Sequence, residues 1–130
     1  MVSEANGRKT EKPIIDSPEK AVEQLKYIRN KKREYFVCLT LDGVNRLIRK
    51  RTVSIGTLTS SLVHPREVFI GAIKDHAASI IVAHNHPSGS LEASEADREV
   101  TRRLKEAGEI LGILLFDHII IAKDAHAIID

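Results

Sequence analysis

The spacing of apolar residues changes period several times along the chain, and each period predicts one kind of element. Val22, Leu25 and Ile28 recur at helical spacing. They follow Ser17-Pro18-Glu19, in which a capping residue, a proline and an acid predict the start of a helix. Residues 35–41 then form a largely apolar run that is rich in β-branched and aromatic residues, and this run predicts a strand.

The middle of the chain continues with strand patterns and then returns to a helix. After a turn at residues 42–45, two short strands are predicted, one through residues 47–48 and one near residues 53–58. A helix is predicted from Pro65, because apolar residues recur behind it at helical spacing. Residues 78–83 are small, apolar or β-branched almost without interruption, which is typical of a central strand covered on both faces.

The last third repeats the order of strand, helix and strand. A loop rich in Pro, Ser and Gly follows the central strand. Ser94-Glu95-Ala96-Asp97 then predicts a helix start, as a capping box in which Asp replaces the usual Glu. Gly108 and Gly112 can end that helix. A strand over residues 113–122 and a short last strand over residues 127–129 complete the pattern.

This alternation, without internal repeats, predicts a single α/β domain over residues 17–130, preceded by a flexible leader over residues 1–16. Hydrophobic residues make up 42% of the chain and charged residues 29%, which is typical of a soluble globular protein. The formal net charge of +2 neither favours nor excludes a nucleic-acid partner.

Two absences in the sequence limit its location and its chemistry. No apolar run approaches the roughly 18 residues needed to cross a bilayer, and the N-terminus lacks the apolar core of a secretory signal. We therefore expect a cytoplasmic location and no membrane partner. Cys38 is the single cysteine, which excludes an intrachain disulfide and a zinc site made of several thiolates. Because it lies within an apolar run, we expect its side chain to be buried.

The candidate chemistry lies after the central strand. His84 and His86 are two residues apart, so an extended backbone can present both imidazoles on one side. Asp97 falls in the first turn of the next predicted helix, where a carboxylate is favoured. Two histidines and one carboxylate supply three ligands to a zinc ion and leave a fourth position for water. The residues alone leave two interpretations open, a metal site or surface histidines beside a capped helix.

The spacing H-x-H, seven residues, Ser, two residues, Asp resembles the JAMM motif of MPN-type metalloproteases, with His84, His86, Ser94 and Asp97 at its positions. The flanking HNHPSG, HPREVF and LFDHIIIA resemble the RadC-like branch of that superfamily. The resemblance implies a three-layer α/β/α, cytidine-deaminase-like fold with a mixed central sheet. It also implies one zinc ion per chain and hydrolysis of a peptide, isopeptide or other amide bond.

The same resemblance implies a glutamate that holds the attacking water. Glu34 lies in the matching place, just before the first predicted strand, and Glu67 in HPREVF is its rival. Ser94 would donate a hydrogen bond to the developing oxyanion, although it is also the best candidate to cap its helix. Asp117-His118 lies within an apolar strand, where we expect a satisfied, buried pair rather than a further metal ligand.

The alternative function is a DNA- or protein-associated binding module whose metal site is vestigial or structural. Its best support is a basic cluster on the second predicted strand region. The cluster lacks interleaved aromatic residues that would stack on bases, so a solvated sheet edge is the plainer interpretation. A peptide, protein or other amide is therefore the expected substrate, with nucleic acid as the less favoured partner. The cluster comprises Arg46, Arg49, Lys50 and Arg51.

Overall fold

The computed structural model describes residues 12–56 and 63–129. Within these ranges the strands are β1 (Glu34–Leu41), β2 (Leu47–Gly56), β3 (Ser79–Asn85), β4 (Leu114–Ile121) and β5 (His126–Ile128). The α-helices are α1 (Pro18–Gln24), α2 (Pro65–Lys74) and α3 (Glu95–Leu111), and a 3-10 turn over Lys26–Ile28 follows α1. Among the helices of the described ranges, none has the length and apolar content required to cross a bilayer.

The strands form one mixed sheet in the order β2-β1-β3-β4-β5. β1 is antiparallel to both β2 and β3, whereas β3 and β4 run parallel. Parallel neighbours need a crossover connection, and α3 supplies it between β3 and β4. As a result, the end of β3 leads directly into the segment before α3.

Helices cover both faces of the sheet, so the protein has three layers. On one face α1 and the 3-10 turn pack on alternate residues of β1, β3 and β4, including Val37, Ile81 and Ile119. On the other face α2 and α3 pack on the intervening residues, including Phe36 and Val82. Every residue of β3 is buried, as predicted for a central strand covered on both sides. The predicted α/β/α fold with a mixed sheet is confirmed.

The helix starts predicted from capping residues are also confirmed. Ser17 caps α1 by accepting a hydrogen bond from the Lys20 N–H at 3.2 Å. His64 and Ser94 are the N-cap residues of α2 and α3. Gly112 ends α3 with a left-handed backbone, at φ 75°, which glycine adopts without strain.

Two predicted boundaries are wrong. One continuous strand, β2, replaces the two short strands predicted through residues 47–48 and near residues 53–58, and residues 57–58 lie outside the described residues. β2 is an edge strand, so its middle tolerates the charged residues that lie between the two predicted segments. α1 ends at Gln24, and the helical spacing beyond it continues as the 3-10 turn, in which Ile28 is still buried.

The predicted leader is too long at its C-terminal end. Ile15 is 1% exposed and belongs to the α1-side core, and its N–H donates to the Asn45 carbonyl at 2.7 Å. Ile14 forms an antiparallel bridge with Arg46. An apolar pair at the end of a polar segment therefore already packs on the domain, and residues 1–11 of the predicted leader lie outside the described residues.

An ion pair joins the edge strand to the end of α2. Arg51 Nε and Nη2 donate to the two carboxylate oxygens of Asp75 at 2.9 and 2.6 Å. The Thr40 hydroxyl of β1 donates to the same carboxylate at 2.8 Å. The guanidinium holds the pKa of Asp75 below its usual range, with burial opposing and Thr40 assisting. The basic cluster of β2 therefore lies at a sheet edge, as predicted, but Arg51 has a structural role within it.

Candidate metal centre

The end of β3 and the first turn of α3 bring three ligand groups to one point. His84 Nε2 lies 3.0 Å from His86 Nε2 and 3.2 Å from an Asp97 carboxylate oxygen. His86 Nε2 lies 3.3 Å from the other oxygen of the same carboxylate. His84 and Asp97 are buried and His86 is half-buried. The three residues that the sequence singled out as ligands are thus brought together, and they form a group able to hold a metal ion.

The separations of these atoms fit a single small ion. Ligands at zinc bond lengths of about 2.0–2.1 Å in tetrahedral arrangement lie about 3.3 Å from one another. The two imidazole nitrogens are 3.0 Å apart, and each lies 3.2 or 3.3 Å from its own oxygen of the Asp97 carboxylate, which is close to that value. His86 Nδ1 lies 2.9 Å from the Ser90 carbonyl, which can only accept, so Nδ1 carries a proton and Nε2 is the ring nitrogen that faces the ligand group. The donor set suits a divalent cation in both spacing and chemistry.

Asp97 reaches the centre because it is also the third residue of α3. Its backbone N–H donates to Ser94 Oγ at 3.0 Å, and its Oδ2 accepts from the Ser94 N–H at 2.9 Å. This capping box is the one predicted from the sequence, with Asp in the place of Glu. Because the shorter Asp side chain is fixed by its own helix start, its carboxylate is directed at the two imidazoles with little freedom to rotate.

The centre's electrostatics favour an ionised carboxylate beside imidazoles. Burial raises the pKa of Asp97, but the hydrogen bonds from His84 and His86 outweigh it, and the net pKa lies far below the usual aspartate range. The Asp97 carboxylate raises the pKa of His86, with burial opposing this and the Ser90 carbonyl and the charge of Glu34 adding to it. The result is an ionised carboxylate held against two imidazole nitrogens.

Glu34 lies next to His86, although the two are far apart in sequence. Phe36 pairs with His84 at the end of the β1–β3 ladder, so continuing that register by two residues places Glu34 toward His86, and the charge of Glu34 acts on His86. Alternate residues of a strand share a face, which places Glu34 and Phe36 on the side of both histidines. The rings of Phe36 and His84 are stacked with their centroids 6.1 Å apart. Glu34 is therefore the carboxylate that the sheet brings beside the ligand group.

Glu67, the alternative to Glu34, caps a helix. It is the third residue of α2, and its Oε1 accepts from the His64 N–H at 3.3 Å in a second capping box. This agrees with the helix predicted to begin at Pro65, because Glu67 lies in its first turn.

Asn85 ties the end of β3 to the segment that carries Glu34. Its Oδ1 accepts from the Tyr35 N–H at 2.6 Å. Its Nδ2 donates to the carbonyls of Lys31 and Arg33 at 3.3 and 2.9 Å. The residue between the two histidines thus faces the other way and fixes the chain on either side of Glu34.

The sequence missed two residues that contact the ligand group. His118 is 1% exposed, and its Nε2 lies 3.0 Å from His84 Nδ1 while its Nδ1 lies 2.6 Å from Thr101 Oγ1. Burial lowers the pKa of His118 to about 3, and the charge of His84 adds to the effect. The prediction of a satisfied, buried pair is confirmed for His118, whose two ring nitrogens both have partners. It is wrong for Asp117, which is only half-buried because neighbours on a strand face opposite sides. Thr101, four residues after Asp97, could have been found from helical spacing.

Cys38 has no part in the centre. It is fully buried among apolar residues of the α2–α3 side, as predicted. Burial raises the pKa of its thiol to about 12, so the thiolate needed for nucleophilic attack is scarce at neutral pH.

Comparison with known proteins agrees with this architecture and this ligand group. A family model described as "RadC-like JAB domain" matches residues 15–129. A UPF0758 protein from Pelobacter propionicus is 50% identical over 123 residues, which cover 93% of this chain and 54% of that protein. A UPF0758 protein from Rubrobacter xylanophilus is 51% identical over 113 residues, which cover 86% of this chain and 50% of that protein. One from Trichlorobacter lovleyi is 54% identical over 99 residues, which cover 76% of this chain and 43% of that protein. The chain thus spans about half the length of these relatives, and it belongs to the family of RadC-like JAB domains.

Proposed function

We propose that this domain is a zinc-dependent hydrolase of peptide, isopeptide or other amide bonds. The observation that carries the proposal is the convergence of His84 Nε2, His86 Nε2 and the Asp97 carboxylate within hydrogen-bonding distance of one another. Three such ligands leave one zinc position open, which is typical of catalytic rather than structural zinc sites. Membership of the JAB family, together with the JAMM spacing, supports the same reaction class.

The residues around the ligand group have the chemistry that amide hydrolysis requires. Zinc, when bound, supplies a Lewis acid that lowers the pKa of water to about 7. Glu34, beside His86, accepts the proton of the attacking water and passes it to the leaving amine. Ser94 Oγ uses a lone pair to cap Asp97, so its hydroxyl hydrogen remains to donate to the carbonyl oxygen of the scissile bond.

The first test is metal content. We expect purified protein, or protein reconstituted with zinc and then desalted, to contain about one zinc ion per chain by mass spectrometry. His86→Ala is the suitable variant, because His86 is only half-buried. His84 is fully buried, so its substitution would also disturb the core. His86→Ala should lose the metal. Wild-type protein that retains no zinc after reconstitution would contradict the proposal.

The second test separates chemistry from metal binding. Glu34→Gln should keep the zinc stoichiometry of the wild type and lose hydrolysis of a mixed peptide and isopeptide substrate library. Glu67→Gln is the matched control, since it makes the same change at a helix cap, and it should keep both. Turnover that survives Glu34→Gln would remove Glu34 from the mechanism. A bound zinc ion without turnover of any amide in the library would instead favour the binding-module alternative.

A further inference from the structure

A chain of buried polar groups leads from α3 through β4 to His84. Thr101 Oγ1 lies 3.1 Å from the Asp97 carbonyl oxygen and 2.6 Å from His118 Nδ1. His118 Nε2 in turn lies 3.0 Å from His84 Nδ1. All four residues are at most 3% exposed, so the protein itself must satisfy these atoms. We name this chain, from the Asp97 carbonyl through Thr101 and His118 to His84, the imidazole relay.

The direction of each hydrogen bond in the imidazole relay follows from its first member. A carbonyl oxygen can only accept, so the single hydroxyl hydrogen of Thr101 is donated to Asp97. Thr101 Oγ1 must then accept from His118 Nδ1–H. A buried imidazole without an acid against it is neutral, so His118 Nε2 has a lone pair and accepts from His84 Nδ1–H. The lone pair of His84 is thereby left on Nε2, the atom that faces His86 and Asp97.

We propose that Thr101 and His118 are positioning residues that hold His84 in the Nδ1–H tautomer and so present its Nε2 lone pair to a divalent cation. His86 Nδ1 has a different partner, the Ser90 carbonyl, so the two imidazoles are oriented independently of each other. Histidine ligands depend on such partners for their orientation and affinity. The inference rests only on the metal-binding part of the proposed function, and the relay is set in the protein before any metal or substrate arrives.

The tautomers can be read directly in the metal-free wild-type protein. Long-range ¹H–¹⁵N spectra of ¹⁵N-histidine-labelled protein at neutral pH should give the Nδ1–H pattern for both His84 and His118. A His118 or His84 ring with its proton on Nε2 would overturn the proposal. This measurement needs neither zinc nor turnover, so its outcome is independent of whether the domain is a hydrolase.

Substitution of Thr101 then tests the consequence for the metal. Thr101→Val keeps the shape of the side chain but leaves His118 Nδ1–H without an acceptor, which favours the other tautomer of both rings. We expect it to weaken Zn²⁺ and Co²⁺ binding by about ten- to a hundredfold. Thr101→Ser, which keeps the hydroxyl, should bind as the wild type does. Equal affinity of the Val and Ser variants would overturn the proposal, and the wild-type spectra decide the matter if the Val variant does not fold.

A separate observation concerns the charge beside the ligand group. A cavity of about 390 Å³ reaches His86; of the nine described residues that line it, four are cationic and none has a carboxylate side chain. A second cavity shares Lys32, Pro87 and Ser88 with it, and extends past Arg33 to Glu34. We name the two together the basic groove. Its cations in the first cavity are Arg29, Lys31, Lys32 and Lys123.

The basic groove contains one cation held by hydrogen bonds to the backbone and others exposed to a ligand. Arg29 Nη1 donates to the carbonyls of Ala122 and Lys123 at 2.8 and 3.1 Å, which holds the guanidinium at the wall of the groove. Lys32 and Lys123 are exposed at its surface. Several cations of one sign around a concave surface raise the local concentration of anionic ligands. The groove therefore favours a negatively charged segment lying next to the metal centre.

We infer that the substrate segment bound in the basic groove is an acidic stretch of polypeptide, an inference that rests on the proposed amide hydrolysis. Among the described residues that line the two cavities, none is a phenylalanine, tyrosine or tryptophan. Surfaces for single-stranded nucleic acid usually combine cations with aromatic rings on which bases stack. An acidic peptide needs only the cations.

Binding of short labelled peptides to metal-free wild-type protein tests this without requiring turnover. A glutamate-rich decapeptide should bind more tightly than its glutamine-substituted copy, and less tightly as ionic strength rises. Lys32→Gln with Lys123→Gln should weaken that binding severalfold, whereas Lys74→Gln with Lys105→Gln, with the same change of net charge, should not. Equal effects of the two double variants would overturn the inference. So would tighter binding of a ten-nucleotide oligothymidylate than of the acidic peptide.

Discussion

Asp97 serves two structures at once. Its carboxylate faces both imidazoles, and the same group accepts the Ser94 N–H that begins α3. A ligand held by its own helix cap needs no further ordering when a metal binds, because its rotation is already restricted. The Asp97 side chain therefore contributes both to the stability of α3 and to the affinity for a metal ion.

Substitution of Ser94 should separate these two effects. Ser94→Ala removes the acceptor of the Asp97 N–H and should lower the free energy of unfolding by about 1 kcal/mol. It should also weaken zinc binding, because Asp97 loses its anchor. Ser17→Ala removes the corresponding cap of α1 and should cause a similar loss of stability with unchanged zinc affinity. Urea denaturation and zinc titration of both variants check this, and equal zinc affinities would contradict it.

Gly108 is needed for close packing at the end of α3. A Cβ there would lie 2.4 Å from the Ile113 carbonyl oxygen, a backbone atom that cannot rotate away. Gly108→Ala should therefore lower the free energy of unfolding by about 2 kcal/mol. Gly43→Ala is the control, because no atom lies within 4 Å of a Cβ at that turn. Thermal or urea unfolding compares the two, and a Gly108→Ala variant as stable as Gly43→Ala would contradict the packing argument.

At the scale of elements, the Arg51–Asp75 pair fastens the edge strand β2 to the end of α2. Asp75→Asn removes the anionic partner of a partly buried guanidinium and should cost about 2 kcal/mol at neutral pH. The pKa of Asp75 is lowered in the folded state. Its contribution is therefore full above the unfolded-state pKa of about 3.9 and is lost as the pH falls through the lower folded-state value.

Urea denaturation of the wild type and of Asp75→Asn across pH measures this contribution. The stability difference should be constant from neutral pH down to about pH 5 and should shrink below about pH 4. Thr40→Val, which removes only the hydroxyl donor, should show a smaller difference with the same pH dependence. A difference between wild type and Asp75→Asn that grows on acidification would contradict the assignment.

The elements that could be predicted are those with a local signal. Ser17 and Ser94 mark helix starts because capping depends on neighbours three residues away. β3 was predicted because burial on both faces demands a continuous apolar run. β2 was divided wrongly, since the charges of an edge strand interrupt the pattern without interrupting the backbone pairing.

The same distinction applies to the candidate site. His84, His86 and Asp97 lie within 14 positions of one another and carry a recognisable spacing. His118 follows His84 by 34 positions, and the two meet only because α3 returns the chain to a parallel neighbouring strand. Asn85 likewise bonds to residues more than 50 positions earlier in the chain. Such partners depend on topology, which the periodicity of single elements does not specify.

At the scale of the whole molecule, a bound ion would connect a strand and a helix from different layers. Zinc at a hundredfold excess over its dissociation constant should add about 2.7 kcal/mol to the free energy of unfolding, or roughly 10 °C in Tm. Differential scanning calorimetry with zinc and with excess chelator measures the shift. His86→Ala should abolish it, and Lys105→Gln, on the outer part of α3, should not. A zinc-independent Tm in the wild type would contradict the metal centre.

The three hydrogen bonds of Asn85 have a consequence for how this domain can change over time. They fix the register of β1 relative to β3. Because successive side chains of a strand point to opposite faces, this register decides which residues of β1 face the histidines. A one-residue insertion or deletion between Ile28 and Glu34 that shifted β1 by one position against β3 would turn the Glu34 carboxylate toward the α1 layer and bring Arg33 or Tyr35 beside His86. Insertions in this short connection should therefore be retained in evolution only when the register of β1 against β3 is unchanged and the added residues form a loop on the surface.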